Sequence, residues 1–310
     1  MPSIGIIIVT YNSAAVIGAC LDAALTSGAE IVVVDNASSD DTCAEVARRS
    51  VRLIANSANL GFAAAVNQGF RVLNCANILL LNPDAVISTE IEPLRQACTI
   101  PGVAGAGGLL LDAKGKPQEG FMVRRLPTPA SLIMETLLLN RLCPGNPINR
   151  NYRCLDLEYS HQQPVEQPAG AFLMIRRAVW EELGGFNEQF WPLWFEDVDF
   201  CRRARDRGFI FYFVPRAVAI HTGAHSIPSL KLEMRRVYWY RSLLSYSARH
   251  FNPPGARAVC LAVITGSLLR APLEAVLERS LRPLVAYWEV LRVAARFLVG
   301  SGRRRFQSVG

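Results

Sequence analysis

Short runs of β-branched and leucine residues alternate with stretches of helical spacing through residues 4–82, and few folds accommodate that rhythm. Residues 4–10, 31–35, 51–55 and 77–82 predict strands, and 14–26, 40–49 and 62–74 predict the helices between them. A helix between successive strands is the pattern of a mostly parallel sheet covered on both faces. In such sheets ligands gather at the carboxyl ends of the strands. There the sequence places Thr10-Tyr11-Asn12, Asp35-Asn36 and Asn82-Pro83-Asp84, so three polar clusters converge on one edge.

Beyond residue 100 the rhythm changes. GVAGAGGLLLDAKGKPQ predicts a strand and a hairpin turning at Asp112-Ala113-Lys114-Gly115. Its glycines invite a dinucleotide-binding reading, which fails because Leu110 stands where the third glycine would fall and no strand-to-helix turn follows. Residues 140–168, rich in Pro, Asn, Gly and Gln, predict a long surface loop that either shapes a substrate site or simply connects. From Pro228 onward the chain turns helical and basic, and no internal repeat is visible.

Charge separates the two regions. Residues 231–310 carry 14 Lys and Arg against 4 Asp and Glu, whereas residues 1–230 carry 19 against 22. The arginines of the tail punctuate apolar stretches and no nucleic-acid motif accompanies them, which favours an anionic membrane surface over nucleic acid. The longest apolar run, Ala258 to Leu269, is twelve residues against the roughly twenty needed to cross a bilayer. Lying on the membrane therefore fits better than spanning it, and packing on the catalytic body or on another subunit is the alternative. The eight cysteines include no CxxC pair, which suits reduced thiols in cytosol, without structural disulfides or a zinc site. The N-terminus lacks a basic region and a long apolar run, so it reads as a buried first strand rather than a signal peptide.

In order along the chain stand IIIVTYNS (6–13), VVDNASSDD (33–41), NLGFAAAVNQGF (59–70), LLLNPDAVI (79–87), PAGAFLMIRR (168–177), GGFNEQFWPLWFEDVDFCRRARDRGF (184–209) and VPRAVAIHTGAHS (214–226). This series resembles the inverting family 2 glycosyltransferases of the GT-A fold, in particular the bacterial rhamnosyltransferase-like branch, over residues 4–226. The resemblance implies a nucleotide-diphosphate sugar donor, a divalent metal and a lipid-linked or glycan acceptor. It assigns Thr10, Tyr11, Asn12 and Asp35 to the nucleotide, although Asp35 serves equally as a cap for a helix opening near Ser38.

Asn59 and Gly61 open the third helix, where free N–H groups could face the donor, and Asn67 lies further along it, with helix packing as its alternative. Asn82-Pro83-Asp84 stands where the family carries its Asp-x-Asp-like metal motif; Asn82 replaces the first carboxylate, leaving Asp84 as the main carboxylate ligand and Asn82 as a sugar or ribose contact. His221 resembles the histidine that completes the metal shell and tilts the choice toward Mn²⁺ over Mg²⁺, with both admitted. His225 is the weaker histidine, since Gly223 argues against a helical pair.

Glu196 and Asp197 align with the pair that handles the acceptor, with Asp197 as general base. Ala169 and Gly170 would lie beside the donor sugar. Trp191 and Trp194 offer faces to a sugar or acceptor, or belong to the core, and Arg176, Arg177 and the arginines after Asp197 could meet an acceptor diphosphate or form a solvated face.

The expected organisation is a GT-A domain over 1–228 and an amphipathic, basic helical membrane-associating region over 229–310. The expected function is an inverting, metal-assisted glycosyltransferase of cell-wall or polysaccharide biosynthesis. It would be cytoplasmic and peripheral at the inner face of the plasma membrane, with dTDP-L-rhamnose as the best donor by resemblance and a homodimer left open. UDP-hexoses, UDP-N-acetylhexosamines and UDP-galactofuranose stay open as donors. The alternatives are a non-catalytic nucleotide-sugar-binding scaffold and a nucleotidyltransferase; the first is disfavoured by the presence of both Asp84 and Asp197, the second by the lack of a basic glycine loop after the first strand.

Overall fold

A computed structural model of the chain describes residues 4–223 and 232–299. In chain order the elements begin with β1 (Ile4–Thr10), α1 (Ala14–Leu25), β2 (Glu30–Asp35), α2 (Thr42–Ala47), β3 (Arg52–Ala55), α3 (Phe62–Val72) and β4 (Asn77–Leu81). Next come β5 (Ala85–Ile87), α4 (Glu92–Ala97), β6 (Val103–Leu111), β7 (Val123–Arg124), α5 (Pro129–Thr136), α6 (Leu139–Leu142) and α7 (Pro147–Tyr152). They continue with β8 (Gln163–Val165), β9 (Gln167–Pro168), β10 (Phe172–Arg176), α8 (Arg177–Leu183), α9 (Glu196–Asp206) and β11 (Ile210–His221), and finish with α10 (Leu232–His250), α11 (Pro253–Leu277) and α12 (Arg282–Val299).

The described residues form two compact units. The α/β unit holds one large sheet in the order β3-β2-β1-β4-β10-β6-β11-β5, with β8 on β11, and a small β7-β9 ladder. β3, β2, β1 and β4 pair in parallel, as do β6 and β11, whereas β10 runs antiparallel between β4 and β6. The continuous apolar runs follow from burial on both faces: Ile6, Ile8, Val33 and Leu79 enter one core, and Ile7, Val9, Val32 and Leu80 the other. One core stacks Phe70 on Trp180, with centroids 3.7 Å apart and planes 2° from parallel.

The glycines of β6 owe their presence to this packing. A Cβ at Gly105 would stand 2.3 Å from the Met174 carbonyl oxygen, and one at Gly108 would stand 2.3 Å from Phe172 Cε1. The run that imitates a dinucleotide motif is a strand whose neighbours approach too closely for side chains. The turn after it forms at Asp112, whose Oδ1 accepts from the N–H groups of Lys114 (2.8 Å) and Lys116 (2.9 Å).

The stretch 140–168 is more ordered than its composition predicts. Asn146 Oδ1 accepts from Asn149 N (2.9 Å) at the start of α7, and β8 covers the edge of β11 through the pair Val165 and Phe211. An edge strand left bare exposes unpaired backbone groups, and a three-residue partner is enough to blunt it.

The helical unit contains α5, α6, α7, residues Leu193–Phe195 and the three C-terminal helices. A boundary at 228, itself outside the described residues, assigns 127–152 and 193–195 to the first domain. The physical reason they group with the helices is close packing: a Cβ on Gly266 of α11 would lie 2.6 Å from the Thr136 carbonyl oxygen of α5. Pro253 and Pro254 occupy the first turn of α11, where a missing N–H costs nothing, and Asn252 caps it by accepting from Gly255 N (2.9 Å). α11 runs on through Arg270 and Pro272 to 25 residues; by length and composition alone it is the helix among the described residues that could cross a membrane. All eight cysteines are free.

Candidate active site

β1, β2, β4, β6 and β11 point the same way, so their carboxyl ends share one edge with the start of antiparallel β10. Thr10 and Asp35 end adjacent strands in register. The buried Asp35 carboxylate accepts from Thr10 Oγ1 (2.8 Å), Ser38 N (2.9 Å) and Ser38 Oγ (2.5 Å). It shapes a turn rather than capping a helix, since α2 opens later, after Asp41. Asn12, at φ 51°, donates its N–H to Ser38 Oγ (2.8 Å) and accepts from Ser39 N (2.8 Å). The loops after β1 and β2 are thus stitched together, leaving the Tyr11 ring half-buried beside them.

Asn59 and Gly61 do start α3, but the N–H groups there are engaged. Gly61 N donates to Asn59 Oδ1 (2.9 Å), and Phe62 N donates to the Pro192 carbonyl (2.7 Å). Trp191 lies over the same turn, its Nε1 donating to the Asn59 carbonyl (3.4 Å). Neither N–H group is open to a diphosphate, which corrects the view of this turn as a bare anion site. Asn67 is not brought to the edge. It sits six residues into α3, about 9 Å along the axis, where its Nδ2 donates to the Phe186 carbonyl (3.0 Å) and Glu188 Oε1 (2.8 Å) and its Oδ1 accepts from Phe186 N (3.0 Å). Both amide donors and the amide oxygen are thus engaged in holding the loop at Phe186 and Glu188.

The pairing of His221 with Ala85 across β11 and β5 carries the imidazole to Asp84. His221 Nε2 stands 3.4 Å from Asp84 Oδ1 and 3.3 Å from Asn82 Nδ2, with both ionisable side chains buried. Gln118 settles the tautomer. Its Nε2 donates to the His221 carbonyl (2.6 Å), which can only accept, so its Oε1 faces Nδ1 at 2.9 Å and Nδ1 must carry the proton. Nε2 then accepts from Asn82 Nδ2 (3.3 Å) and lies 3.4 Å from the Asp84 carboxylate oxygen. Phe121 stacks on the ring at 5.3 Å and 10°. Among the described residues no group of three His, Cys, Asp or Glu side chains is placed to hold a metal ion.

Asp197 opens α9, and its Oδ2 accepts from Gly170 N (3.0 Å) while Oδ1 accepts from Val198 N (2.8 Å). Although part of the residue reaches the surface, its carboxyl is enclosed by protein. Burial raises its pKa above the ordinary value, against the hydrogen bonds from Gly170 and Val198 and the nearby Arg124 charge. Glu196 is 6% exposed, and its Oε2 has no hydrogen-bond partner among the described residues. Burial and the neighbouring Asp197 charge push its pKa well above the usual range. Ala169 and Gly170 are buried before β10 and hold the backbone against Asp197.

The other arginines have structural partners. Arg176 Nη1 donates to the Val103 carbonyl (3.0 Å), and Arg177 reaches the carbonyls of Phe70, Cys75 and Leu73. Arg203 pairs with Asp199 (2.8 Å), Arg202 with Asp206 (3.0 Å) and Arg207 with Glu182 (3.4 Å). Arg205 lies by Glu166 (3.6 Å), so each of these guanidinium groups already serves a carbonyl or carboxylate within the protein. Trp194 falls in the helical unit, at φ 76°, and His225 lies outside the described residues. Gln118 and Phe121 are the residues that sequence reasoning missed; the signal was their place just after a hairpin turn that folds back along β6, with Gln118 N on the Leu110 carbonyl (2.9 Å).

The model of glycosyl transferase family 2 matches residues 5–182, and one described as the N-terminal domain of galactosyltransferase matches 153–225. The chain is 31% identical over 225 residues to the N-acetylglucosaminyl-diphospho-decaprenol L-rhamnosyltransferase of Mycobacterium tuberculosis, covering 67% of this chain and 71% of that one. It is 30% identical over 209 residues to the low-salt glycan biosynthesis hexosyltransferase Agl10 of Haloferax volcanii, covering 66% of this chain and 62% of Agl10, less than two thirds of that relative's length. In fold it is similar to the mannosyltransferase PcManGT from Pyrobaculum calidifontis, solved in complex with GDP-Man and Mn²⁺, at TM-score 0.53 and 17% identity over 97% of this chain and 88% of that one. The architecture is the GT-A fold.

Proposed function

The chain belongs to glycosyl transferase family 2, and from that premise we propose that it transfers one sugar, with inversion, from a nucleotide-diphosphate donor to a lipid-linked acceptor at the inner face of the membrane. The observation that carries the reading is the buried Asp84 and His221 pair, with Nε2 turned towards a carboxylate oxygen at the sheet edge that also receives Thr10 and Asp35. The name of the mycobacterial relative supports L-rhamnose as the sugar and a diphospho-polyprenol sugar as acceptor, and dTDP-L-rhamnose is the donor in this proposal.

In this reading Asp84 and His221 would hold Mn²⁺ or Mg²⁺. A cation held there would supply positive charge against the departing diphosphate. Gln118 fixes the imidazole so that Nε2 presents its lone pair, and Phe121 keeps the ring in plane. Asp35 acts on the nucleotide through the loops that it organises, with Tyr11 and Asn12 at their surface. Asn82 contacts the sugar or ribose, and Ala169 and Gly170 line the sugar's position with backbone. Asn59 and Gly61 shape that side of the donor site through their turn, and Trp191 offers its exposed part to the acceptor.

Asp197 removes the proton from the acceptor hydroxyl as the new bond forms, and its two N–H partners keep the carboxylate aimed. Glu196, the other carboxyl of the pair, lies beside it in the first turn of α9. The test is a transfer assay with a diphospho-lipid sugar acceptor beside a separate donor-binding measurement. Asp197→Asn is expected to slow transfer by about 10²–10⁴-fold while donor affinity is retained. Full turnover in Asp197→Asn would refute the base assignment. Donor binding without transfer or hydrolysis by the wild-type protein would favour a scaffold.

A further inference from the structure

α11 and α12 form a helical hairpin whose closed end is apolar on the outside. Leu273, Val276 and Leu277 at the end of α11, Leu281 just before α12, and Val285 and Trp288 in its first two turns are each 57–74% exposed. They recur at helical spacing on both arms, so the exposure is a continuous face rather than scattered leucines. Soluble monomers rarely leave such a patch uncovered.

Charge indicates the occupant. Residues 232–299 contain ten arginines and four glutamates. Every one of those glutamates has an arginine partner: Glu274 and Glu278 lie against Arg236 (2.6 and 2.9 Å), Glu289 against Arg292 (2.8 Å) and Glu233 near Arg282 (3.9 Å). Arg279 and Arg282 stand at the turn between the two apolar arms, and the Arg282 side chain is 81% exposed. A second copy docked by two-fold symmetry would bring these same cations together. An anionic leaflet instead accepts the leucines in its acyl region, the arginines at its phosphates and an indole at the boundary.

We propose that the closed end of the α11–α12 hairpin docks into one leaflet of an anionic bilayer. α11 does not cross. Its earlier turns bury Val259, Cys260, Val263 and Gly266 inside the helical unit, with Gly266 against the Thr136 carbonyl, so one face of them is closed to lipid. From Leu268 to Leu277 the helix rises about 14 Å, half of a hydrocarbon core that is roughly 30 Å thick. The docking surface deepens the membrane reading above and rests on it for the choice of a lipid partner, but it does not depend on the chemistry assigned to Asp84 or Asp197.

The experiment is co-sedimentation of the full chain, without substrate, with vesicles of phosphatidylcholine containing about one third phosphatidylglycerol, together with quenching of tryptophan fluorescence by brominated acyl chains. The wild-type protein is expected to partition onto these vesicles and less onto pure phosphatidylcholine. Leu277→Glu/Leu281→Glu is expected to weaken partition by about tenfold or more with an unchanged circular dichroism spectrum and donor affinity, and Trp288→Phe to lose most of the quenching. Partition of the double variant at the wild-type level overturns the proposal. So does a vesicle-free dimer that this variant makes monomeric, which identifies a second copy as the occupant, or release of the protein by detergent alone, which identifies a span. If vesicles capture the protein but no nucleotide sugar binds, the catalytic reading fails and the hairpin stands; if donor is bound and transferred by protein that ignores vesicles, the hairpin alone fails.

Discussion

Glu196 and Asp197 sit side by side in the first turn of α9, enclosed by protein, and both carboxyls have pKa values above their ordinary ones. An acid whose pKa is raised on folding keeps its proton in the folded chain over a window where the unfolded chain has lost it. Stability therefore falls as pH rises from the ordinary carboxylate value to the folded one, and levels off beyond. Glu196→Gln removes that slope for the residue with the unpartnered oxygen. It is expected to raise the Tm by about 2–4 °C at pH 8 and to lose the advantage near pH 4, as thermal melts across pH would show. An equal loss of Tm at both pH values would mean that Glu196 is held by bonds that an amide cannot replace. For catalysis the sign is the opposite: Asp197 must be ionised, so kcat/KM falls as pH drops through its raised pKa. The acid limb should lie above the ordinary aspartate value of about 3.9.

At the scale of elements, the turn into α3 is the most exacting. Gly61 has φ 89° and ψ 161°, a region open to glycine, and a Cβ there would meet Trp191 Cδ1 at 2.8 Å. Gly61→Ala is expected to cost about 1–3 kcal/mol of stability and to weaken donor binding by reshaping the turn; a denaturant titration and a binding isotherm check the two. β1 to β4 and α1 to α3 were legible within one or two residues, because β1, β2 and β4 are buried on both faces and read as nearly continuous apolar runs. β10 was legible as an apolar run but not as an antiparallel insertion, since register across the sheet leaves no mark on a single strand. The motif residues at the strand ends were readable from their order. That Asn67 packs a loop, or that Gln118 sets a histidine tautomer, depends on partners 119 and 103 residues away, which spacing along the chain cannot reveal.

For the whole molecule, the interleaved helical unit has a practical consequence. α5 buries Leu132 and Thr136 among helices that include α11, so ending the chain at residue 228 removes the cover of α5 while leaving α5 behind. Such a truncation is expected to lower the Tm and expose apolar surface to a dye such as ANS; a truncated protein melting like the full chain would show that the C-terminal helices are dispensable for that cover. Tests of membrane docking therefore use point substitutions in the full chain. Asp84 and His221 are proposed as half of a cation site that the donor completes. Isothermal titration of dTDP-L-rhamnose and UDP-sugars into the wild-type protein, with and without Mn²⁺, tests it most directly. Metal-dependent binding of one donor, lost by at least about tenfold in Asp84→Ala and in His221→Ala, is the predicted result; tight donor binding that ignores both Mn²⁺ and those substitutions would contradict it.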